Sequence, residues 1–530
     1  MRQRQRKSSR STPTAVASCL AAILLLTLGL AGCGTKTEKG GGASASPGKP
    51  MTLKVMEFNI EYGGTQVSFR KVVAAIKAAD PDIVGVEEAE TNTARLAKEA
   101  GYPYYNASMQ IVSKYPILEP SGSQGAYAFI VVQPGKAVTL SNVHLPSAPY
   151  GPYYAKLGKP AAKIIALEQR VRVPAVAKQL ELLPGPVGAG IPAFVVGDFN
   201  SPSHLDWVEA TVGSRFQIKE PVEWPVSKAM ADAGFRDSWR EVHPDPVENP
   251  GLTWWAARPK VSDWNPGPKN PQDRIDFIYA AGPAKATASV IVGEKGGPEV
   301  SIPISPWPSD HRAVVSTFEV TPGALPDMVA VDTWLVTVGN ELKVTFHAPG
   351  KSGEKIVIVT EGGDPAAGVT SAPTGPAGTT DGTLSFATTG WSPGGYEAVL
   401  VGADGAPVAR VPFWVQAKGA KVELATDKTT YKPGEPIVVT WKNAPANRWD
   451  WLGVYKAAAA DPNVDWYLIW QYTGGAMSGS VHGMPAGSFT FAETGHAGSP
   501  WPLPPGKYVV YYLLADGYES VAQANFTVAK

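Results

Sequence analysis

The sequence predicts an α/β layered domain followed by two all-β sandwich domains. Strand-like runs alternate with helical runs between residues 52 and 321, which is typical of a sheet covered by helices. Beyond residue 322 helical periodicity ends, and short alternating strands broken by Gly and Pro indicate β-sandwiches. The chain has 530 residues, of which 44% are hydrophobic and 18% charged, so it is expected to fold as several domains.

An apolar run with a basic start opens the chain. Five basic residues and no acidic residue precede it: Arg2, Arg4, Arg6, Lys7 and Arg10. The run from Ala15 to Leu30 is too short to span a bilayer comfortably, so residues 1–32 are predicted to be a signal peptide. It ends in Leu-Ala-Gly-Cys, which resembles the bacterial lipobox and makes Cys33 the expected site of lipid attachment. Residues 33–50 are predicted to be a flexible tether. We therefore expect a protein anchored by lipid to the extracytoplasmic face of the cell membrane, with secretion as the alternative.

The first folded domain is predicted to cover residues 51–321. Its strand-like runs are LKVMEF, DIVGV, AVTLSNV and IPAFVVGDF, and its helical runs are FRKVVAAIKAA and the amphipathic EQRVRVPAVAKQLELL. Alternation of such runs predicts a layered sheet that presents its loops, and the polar residues in them, at one edge.

Two stretches of the C-terminal region resemble each other. VGNELKVTFHAPG matches KPGEPIVVTWKNAP, and SPGGYEAVLVGADGAPVARVPFWV matches LPPGKYVVYYLLADGYESVAQANFTV, in the same order. We predict two immunoglobulin-like copies at residues 330–417 and 420–530, with the tryptophans of the second copy in its core rather than binding sugar or peptide. They are expected to act as spacers or to bind cell-wall polymer, and truncation at Pro322 is expected to leave activity intact.

Charge and cysteine content limit the function classes. Lys and Arg (47) equal Asp and Glu (47), and removal of the leader leaves an excess of acidic residues, so the basic excess of a dedicated nucleic-acid binder is missing. The two cysteines, Cys19 and Cys33, exclude thiolate zinc sites and iron–sulfur clusters. Any metal must therefore bind to oxygen and imidazole ligands.

Acidic, amide and imidazole side chains follow the predicted strands of the first domain. Carboxylate and amide oxygens suit hard cations such as Mg²⁺, Mn²⁺ or Ca²⁺. Hydrolysis of a phosphate ester needs a cation on the non-bridging oxygens, a water in line with the leaving oxygen, and donors for the developing charge. The residues that offer such groups are Asn59, Glu87, Glu88, His144, Asp198, Asn200, Asp276, Asp310 and His311.

These residues lie in or next to seven short segments, whose order along the chain is more specific than any one residue. They are MEFNIEYGG, PDIVGVEEAE, IVSKYPI, LSNVHL, VVGDFNS, DRIDFIY and PSDHRAV. Across residues 51–321 the chain resembles the endonuclease/exonuclease/phosphatase superfamily, whose deoxyribonuclease-I-like fold is a four-layer α/β sandwich. The resemblance implies a hydrolase of phosphate esters that uses Mg²⁺, or else Mn²⁺ or Ca²⁺, and in-line attack by an activated water.

The resemblance also implies the metal ligands. Glu88 is the central ligand, helped by Asn59 and Asp310, and Glu61 either joins them or holds a water. Where many members of the superfamily read Gln-Glu, this chain reads Glu87-Glu88. We expect Glu87 to add a negative charge beside the metal.

The same resemblance implies the catalytic residues. His311 is the imidazole at the scissile phosphate, as base or as donor to a phosphate oxygen, and Asp276 is its partner carboxylate. Asp198 aligns the water or manages the leaving-group proton, and Asn200 donates to a phosphate oxygen. His144 is a further donor to phosphate or the acid for the leaving group.

The residues of these motifs are expected to contact only the phosphate, so they do not identify the rest of the substrate. A phosphodiesterase or nuclease is favoured; the alternatives are a phosphomonoesterase, a sphingomyelinase-like phospholipid hydrolase and, in another class, a degenerate surface adhesion protein. Substrate contacts are expected from Tyr153, Tyr154, Lys156 and Arg170, where aromatic and basic residues interleave. The alternative is a solvated loop whose aromatics pack on the domain. The expected partners are a nucleic acid, a nucleotide or a phospholipid, and the protein is expected to be a monomer.

Overall fold

The computed structural model describes residues 47–261, 265–457, 461–462, 465, 467–474, 483–492 and 501–530. The predicted signal peptide, Cys33 and the tether up to residue 46 lie outside these residues. From Ser46 onward the chain forms one compact unit. In the described part of the chain, every helix is too short or too polar to cross a membrane.

The first domain contains strands on two sheets and helices outside them. Its strands are β1 (Met51–Asn59), β2 (Ile83–Glu87), β3 (Tyr104–Asn106), β4 (Ile111–Ser113), β5 (Ile117–Leu118), β6 (Ala128–Gln133), β7 (Lys136–His144), β8 (Ala193–Asp198), β9 (Arg236–Asp237), β10 (Asp276–Ala281), β11 (Ala284–Glu294), β12 (Val300–Ile304), β13 (Ala313–Val320) and β14 (Gly323–Ala324). Its helices are α1 (Phe69–Ala79), α2 (Thr93–Ala100), α3 (Gly151–Lys156), α4 (Ala161–Val171), α5 (Ala177–Leu182), α6 (Pro184–Gly188), α7 (Pro225–Asp232) and α8 (Ser238–Val242).

The two sheets pack face to face. One sheet has the order β12-β11-β13-β1-β2-β4-β3, and the other has the order β5-β6-β7-β8-β10-β9 with β14 on β7. Side chains of both sheets form the core between them, including Leu53, Ile83, Ile278 and the edge-on pair Phe194 and Phe318. Helices α1 and α2 cover the outer face of the first sheet, and α5 and α7 cover that of the second. The predicted four-layer α/β sandwich is therefore confirmed.

One predicted helix is broken. The run EQRVRVPAVAKQLELL forms the end of α4, a short 3₁₀ turn from Pro174 to Val176, and then α5. Because Pro174 has no backbone N–H and its ring clashes with the preceding turn, a continuous helix cannot pass through it. The prediction of one amphipathic helix was wrong at this point.

The C-terminal region forms two β-sandwiches, which we call module 1 and module 2. The strands of module 1 are β15 (Met328–Val331), β16 (Leu335–Thr337), β17 (Glu341–His347), β18 (Lys355–Thr360), β19 (Thr370–Pro373), β20 (Asp381–Ala387), β21 (Gly394–Val401) and β22 (Pro407–Gln416). Those of module 2 are β23 (Glu423–Thr426), β24 (Thr430–Tyr431), β25 (Ile437–Lys442), β26 (Trp451–Lys456), β27 (Ile469–Tyr472), β28 (Gly487–Phe491), β29 (Gly506–Leu513) and β30 (Ser520–Val528).

The two modules have the same strand order. Module 1 pairs β15-β17-β20 with β16-β22-β21-β18-β19, and module 2 pairs β23-β25-β28 with β24-β30-β29-β26-β27. The predicted duplication is thus confirmed. Trp441, Trp449 and Trp451 of module 2 are buried, as predicted, and Trp470 is half-buried. Trp466 lies outside the described residues.

Both modules pack on the first domain. Met328 and Ala330 of β15 belong to the same buried cluster as Phe277 of β10. The buried side chain of Arg448, before β26, donates to the carbonyl oxygen of Asn142 on β7 at 3.3 Å. The modules are thus packed against the first domain, and their expected roles as spacers or as binders of cell-wall polymer stay predictions.

The predicted tether ends earlier than expected. The amide of Gly48 donates to the carbonyl of Pro322 at 2.7 Å, and the amide of Lys49 donates to Gln133 Oε1 at 3.0 Å. Residues 48 and 49, which lead into β1, are thus bound to the first domain.

Candidate active site

Three predicted catalytic residues lie side by side at one end of the second sheet. His144 of β7 pairs in register with Asp198 of β8, and Asp198 pairs with Asp276 of β10. His144 Nε2 is 3.5 Å from Asp198 Oδ2. Gly197 permits this arrangement, because with its φ of 142° a Cβ would lie 1.8 Å from the carbonyl oxygen of Val143. The register of the strands therefore builds the row.

His311 closes the row from the first sheet. Its Nδ1 is 2.9 and 3.1 Å from the two carboxylate oxygens of Asp276, and its Nε2 is 3.7 Å from Asp198 Oδ2. Burial lowers the pKa of His311, but the charges of Asp276 and Asp198 outweigh it and raise the pKa well above its usual value. The ring is thus held as an imidazolium. The ligand atoms of these three residues all lie within 4.8 Å of one another, so the same groups are able to hold a metal ion once the His311 ring is deprotonated.

Asp198 is held by amide groups. Its Oδ1 accepts from the Asn200 backbone amide at 2.8 Å, and its Oδ2 accepts from Asn200 Nδ2 at 3.0 Å and from Asn59 Nδ2 at 3.2 Å. Burial raises the pKa of Asp198, and the positive charge of His311 lowers it by a smaller amount. A pKa moved towards neutrality suits a group that accepts a proton from water. Because Asn200 Nδ2 also donates to the Leu145 carbonyl, its predicted donation to phosphate stays a prediction.

The predicted metal ligands form a second, adjoining cluster. Asn59 Nδ2 donates to Glu88 Oε1 at 3.2 Å, and Glu88 Oε2 accepts from the backbone amide of Tyr62 at 2.9 Å. Glu61 Oε2 accepts from the backbone amide of Asp310 at 3.2 Å, and the Glu61 amide donates to Asn59 Oδ1 at 3.1 Å. Asn59 therefore links the two clusters, since its amide contacts Glu88 and Asp198.

The charge of this cluster fits a divalent cation. Burial raises the pKa of Glu61, the negative charges of Asp310 and Glu88 raise it further, and Arg258 lowers it. Arg258 Nη2 contacts Glu61 Oε1 at 2.5 Å, and both side chains are almost fully buried. Crowded carboxylate and amide oxygens are the donors that hard cations prefer. The donor types present thus suit an ion of the Mg²⁺ type, whereas the described ligand atoms that converge within 4.8 Å are those of Asp198, Asp276 and His311.

Several residues of the site were not predicted from the sequence. Trp254 Nε1 donates to Asp310 Oδ2 at 3.1 Å, and Ser309 Oγ donates to the carbonyl of Asn59 at 2.7 Å. The ion pair of Arg258 belongs to the same group. The aromatic pair in GLTWW was the one signal for Trp254, and Ser309 lies within the segment PSDHRAV without an assigned role. Arg258 carried no signal, because its partner is distant in the chain.

The backbone of Glu87 lies beside two predicted metal ligands, because it pairs in register with Asn59 and precedes Glu88. Its side chain is buried in the sandwich next to Glu57, with 1% and 0% of the two residues exposed. Burial raises the pKa of both carboxyl groups, and the charge of Asp276 raises that of Glu57 further. The expected additional negative charge beside the metal stays a prediction. Burial, which raises the pKa of Glu87 to about 8, disfavours this charge at neutral pH. Glu88 follows in a left-handed turn with φ of 54°.

The predicted substrate-binding residues lie on helices α3 and α4 rather than in a loop. The Tyr153 hydroxyl accepts from Asn270 Nδ2 at 2.7 Å, and Lys156 Nζ donates to a backbone carbonyl at 2.5 Å. Tyr154 and Arg170 are exposed. Among the described residues, no hydrogen bond joins any of the four to the row of catalytic side chains, so their binding role stays a prediction.

His144 has a partner from module 2. Its Nδ1 is 3.0 Å from Asp516 Oδ2, although the two residues are 372 positions apart. Burial lowers the pKa of His144, but the hydrogen bond and charge of Asp516, with the charges of Asp198 and Glu88, raise it to about 10. His144 is therefore protonated at neutral pH.

Comparison with known proteins agrees with this geometry. The model of the endonuclease/exonuclease/phosphatase family matches residues 56–311. An uncharacterised protein of Caenorhabditis elegans is 30% identical over 293 residues, which are 50% of this chain and 91% of that protein. The chain belongs to the endonuclease/exonuclease/phosphatase family. The predicted family is confirmed, and the chain is accordingly a hydrolase of phosphate esters.

Solved structures give further likenesses. An endonuclease/exonuclease/phosphatase from Beutenbergia cavernae is 16% identical with a TM-score of 0.31, covering 68% of this chain and 99% of that one. D. rerio TDP2 with a single-strand DNA product is 14% identical with a TM-score of 0.31, covering 51% and 99%. A mannosyl-6-phosphatase of Bacteroides thetaiotaomicron is 16% identical with a TM-score of 0.30, covering 50% and 99%.

Proposed function

We propose that this chain is a divalent-metal-dependent phosphodiesterase that acts by in-line attack of water. The observation that carries the proposal is the row of His144, Asp198 and Asp276, closed by His311 and adjoining the oxygen cluster around Glu88. These residues combine proton acceptors, cationic donors and hard oxygen ligands within one site. That combination meets the requirements of phosphate ester hydrolysis.

The metal ligands we propose are Glu88, Asn59 and Asp310, with Glu61 as a further ligand or as the holder of a water. A divalent cation held there supplies positive charge to the non-bridging oxygens of the phosphate. Trp254 orients Asp310 through its indole N–H. Such hydrogen bonds to ligating carboxylates fix the ligand geometry.

The proton transfers of the proposed reaction are assigned to the row of catalytic side chains. Asp198, with its raised pKa, aligns the attacking water and accepts its proton. His311, fixed by Asp276, donates to a phosphate oxygen, and the charged His144 donates to a phosphate oxygen or to the leaving oxygen. One preorganised donor of this kind contributes a factor of about 10² to 10³ in rate.

The favoured substrates are short phosphodiesters, such as nucleotides or single-stranded nucleic acid. The processed chain has more acidic than basic residues, which disfavours non-specific binding of long polyanions. The imidazolium of His144 supports departure of an alkoxide leaving group, which a diester of an alcohol requires.

The test is a hydrolysis panel on the purified protein with Mg²⁺, Mn²⁺ or Ca²⁺. It compares bis(p-nitrophenyl) phosphate, p-nitrophenyl phosphate, single-stranded DNA, RNA and sphingomyelin. We expect diester hydrolysis that vanishes with chelator, with His311→Ala and with Asp198→Ala. Absence of turnover on every ester would overturn the proposal, and turnover of the monoester alone would reassign the protein as a phosphomonoesterase.

Export and lipid anchoring through Cys33 are also proposed. The support is the basic, apolar and lipobox-like order of residues 1–33. Phase separation in a cloud-point detergent tests this in the native bacterium. We expect the wild-type protein in the detergent phase and Cys33→Ala in the aqueous phase; equal partition of both would contradict the anchor.

A further inference from the structure

A side chain of module 2 is fixed against a catalytic residue of the first domain. Asp516 uses both of its carboxylate oxygens: Oδ2 contacts His144 Nδ1 at 3.0 Å, and Oδ1 accepts from the Tyr472 hydroxyl at 2.6 Å. The other ring nitrogen of His144, Nε2, is 3.5 Å from Asp198 Oδ2. The imidazole is therefore held between one carboxylate from each domain.

The turn that carries Asp516 is strained and firmly held. Ala515 and Asp516, between β29 and β30, have φ of 49° and 63°, which side chains with a Cβ rarely adopt. The Ala515 amide donates to Oδ1 of the fully buried Asp450 at 3.0 Å, and the Asp516 amide donates to the carbonyl of Trp449 at 2.8 Å. Such a conformation persists where the surroundings determine it.

Module 2 is seated closely on the strand that bears His144. The guanidinium of Arg448 is fully buried and donates to the Asn142 carbonyl, two residues before His144. On the far side of the turn, a Cβ on Gly517 would lie 2.9 Å from the Glu90 side chain. These contacts leave the turn little freedom to move away from the histidine.

The matching turn of module 1 shows that the sandwich itself does not require this contact. The sequence Ala-Asp-Gly occurs in both modules, and Asp404 of module 1 corresponds to Asp516. Asp404 is exposed, and its Oδ1 accepts from the Ala406 amide within its own turn at 3.0 Å. The contact with a catalytic histidine is thus specific to module 2.

We propose that module 2 completes the active site and that Asp516 is a positioning residue for His144. The proposal rests on the proposed phosphoesterase function. Asp516 anchors Nδ1, so that Nε2 is presented beside Asp198 where the phosphate and its leaving group react. Truncation at Pro322, which was expected to leave activity intact, is now expected to abolish most of it.

The kinetic test uses the full chain with Mg²⁺ and a single-stranded oligodeoxynucleotide, whose leaving group is an alkoxide. Asp516→Ala is expected to lower kcat by about 10- to 100-fold, the usual cost of losing a partner that orients a site residue. KM should change by less than about threefold, because the phosphate keeps its other contacts. Asp516→Asn retains an acceptor for Nδ1 and should recover part of the loss, and the matched control Asp404→Ala should behave like wild type. Wild-type kcat in Asp516→Ala would overturn the proposal.

A second test needs no substrate. The chain has seven histidines, so ¹⁵N-histidine labelling resolves their rings by NMR, and His144→Gln identifies the signals of His144. Asp516→Ala should shift these signals and Asp404→Ala should not. If Asp516→Ala fails to fold, Tyr472→Phe, which removes only the hydroxyl on Oδ1, should produce a smaller shift of the same signals. Unchanged His144 signals would overturn the positioning role, whereas shifted signals in a protein without turnover would overturn the phosphoesterase function alone.

Discussion

Replacement of Asp276 by Asn is expected to remove most of the activity. The buried carboxylate of Asp276 accepts from His311 Nδ1 with distances of 2.9 and 3.1 Å to its two oxygens. Asn has the same shape but no charge, and its amide group favours the other tautomer of the ring. A hydrogen bond to a charged group contributes roughly 1.5–3 kcal/mol, and loss of the orienting carboxylate in a Ser-His-Asp triad costs about 10⁴ in kcat. We therefore expect kcat/KM to fall by about 10² to 10⁴, or about 3–5 kcal/mol.

The same variant should also change the pH dependence of kcat/KM in a definite direction. Burial lowers the pKa of His311, and the charge of Asp276 is the largest effect that raises it. Without that charge the imidazolium loses its proton at lower pH, so the alkaline limb of the kcat/KM profile should move to lower pH.

The assay is kcat/KM for bis(p-nitrophenyl) phosphate across acidic to alkaline pH, with circular dichroism to verify folding. Asp381→Asn is the matched control, because Asp381 forms a similar pair with His347 Nδ1 at 2.6 Å in module 1. Wild-type activity is expected for the control. The reasoning is refuted if Asp276→Asn keeps more than about a tenth of wild-type kcat/KM with an unmoved alkaline limb. Recovery of activity by excess Mg²⁺ would instead show that Asp276 holds a cation.

Three further changes test other parts of the structure. Trp254→Phe removes the indole donor to Asp310 and should raise the Mg²⁺ concentration for half-maximal activity by about tenfold, measured by metal titration; an unchanged requirement would contradict the ligand role. Gly517→Val should push the turn of module 2 off Glu90 and lower kcat without altering the melting of the first domain, measured by kinetics and calorimetry. Burial raises the pKa of Asp450 from 3.8 to about 6, so the stability due to its proton is fully present below pH 3.8 and is lost as pH rises through 6. Asp450→Asn removes this loss, and the stability of wild type relative to the variant should fall by about 2 kcal/mol between pH 3.8 and pH 6 in denaturant titrations, which an identical pH dependence would disprove.

The end of the second sheet was predictable from local sequence. His144, Asp198 and Asp276 each stand at the end or start of an apolar strand run, and strand pairing places such residues next to one another. The helix break at Pro174 was also encoded locally, although the periodicity of the surrounding apolar residues concealed it.

Other features depended on contacts that no local pattern records. Glu87 faces inwards as the last residue of β2, whereas Glu88 adopts a left-handed turn, and both residues look alike in the sequence. The pair of Arg258 and Glu61 joins residues that are 197 positions apart. A charged residue in a loop sequence shows its own chemistry but not its partner.

Contiguous residues were enough to predict the family, the layered fold and the chemistry of the first domain, because apolar periodicity and ordered motifs are local properties of the chain. The tertiary structure alone decided that module 2 reaches the active site. Asp516 and Asp404 occupy the same turn of duplicated sandwiches, and their neighbouring Ala and Gly residues are identical. What distinguishes them is the surface on which each module packs, and that surface is set by the whole fold rather than by the residues of the turn.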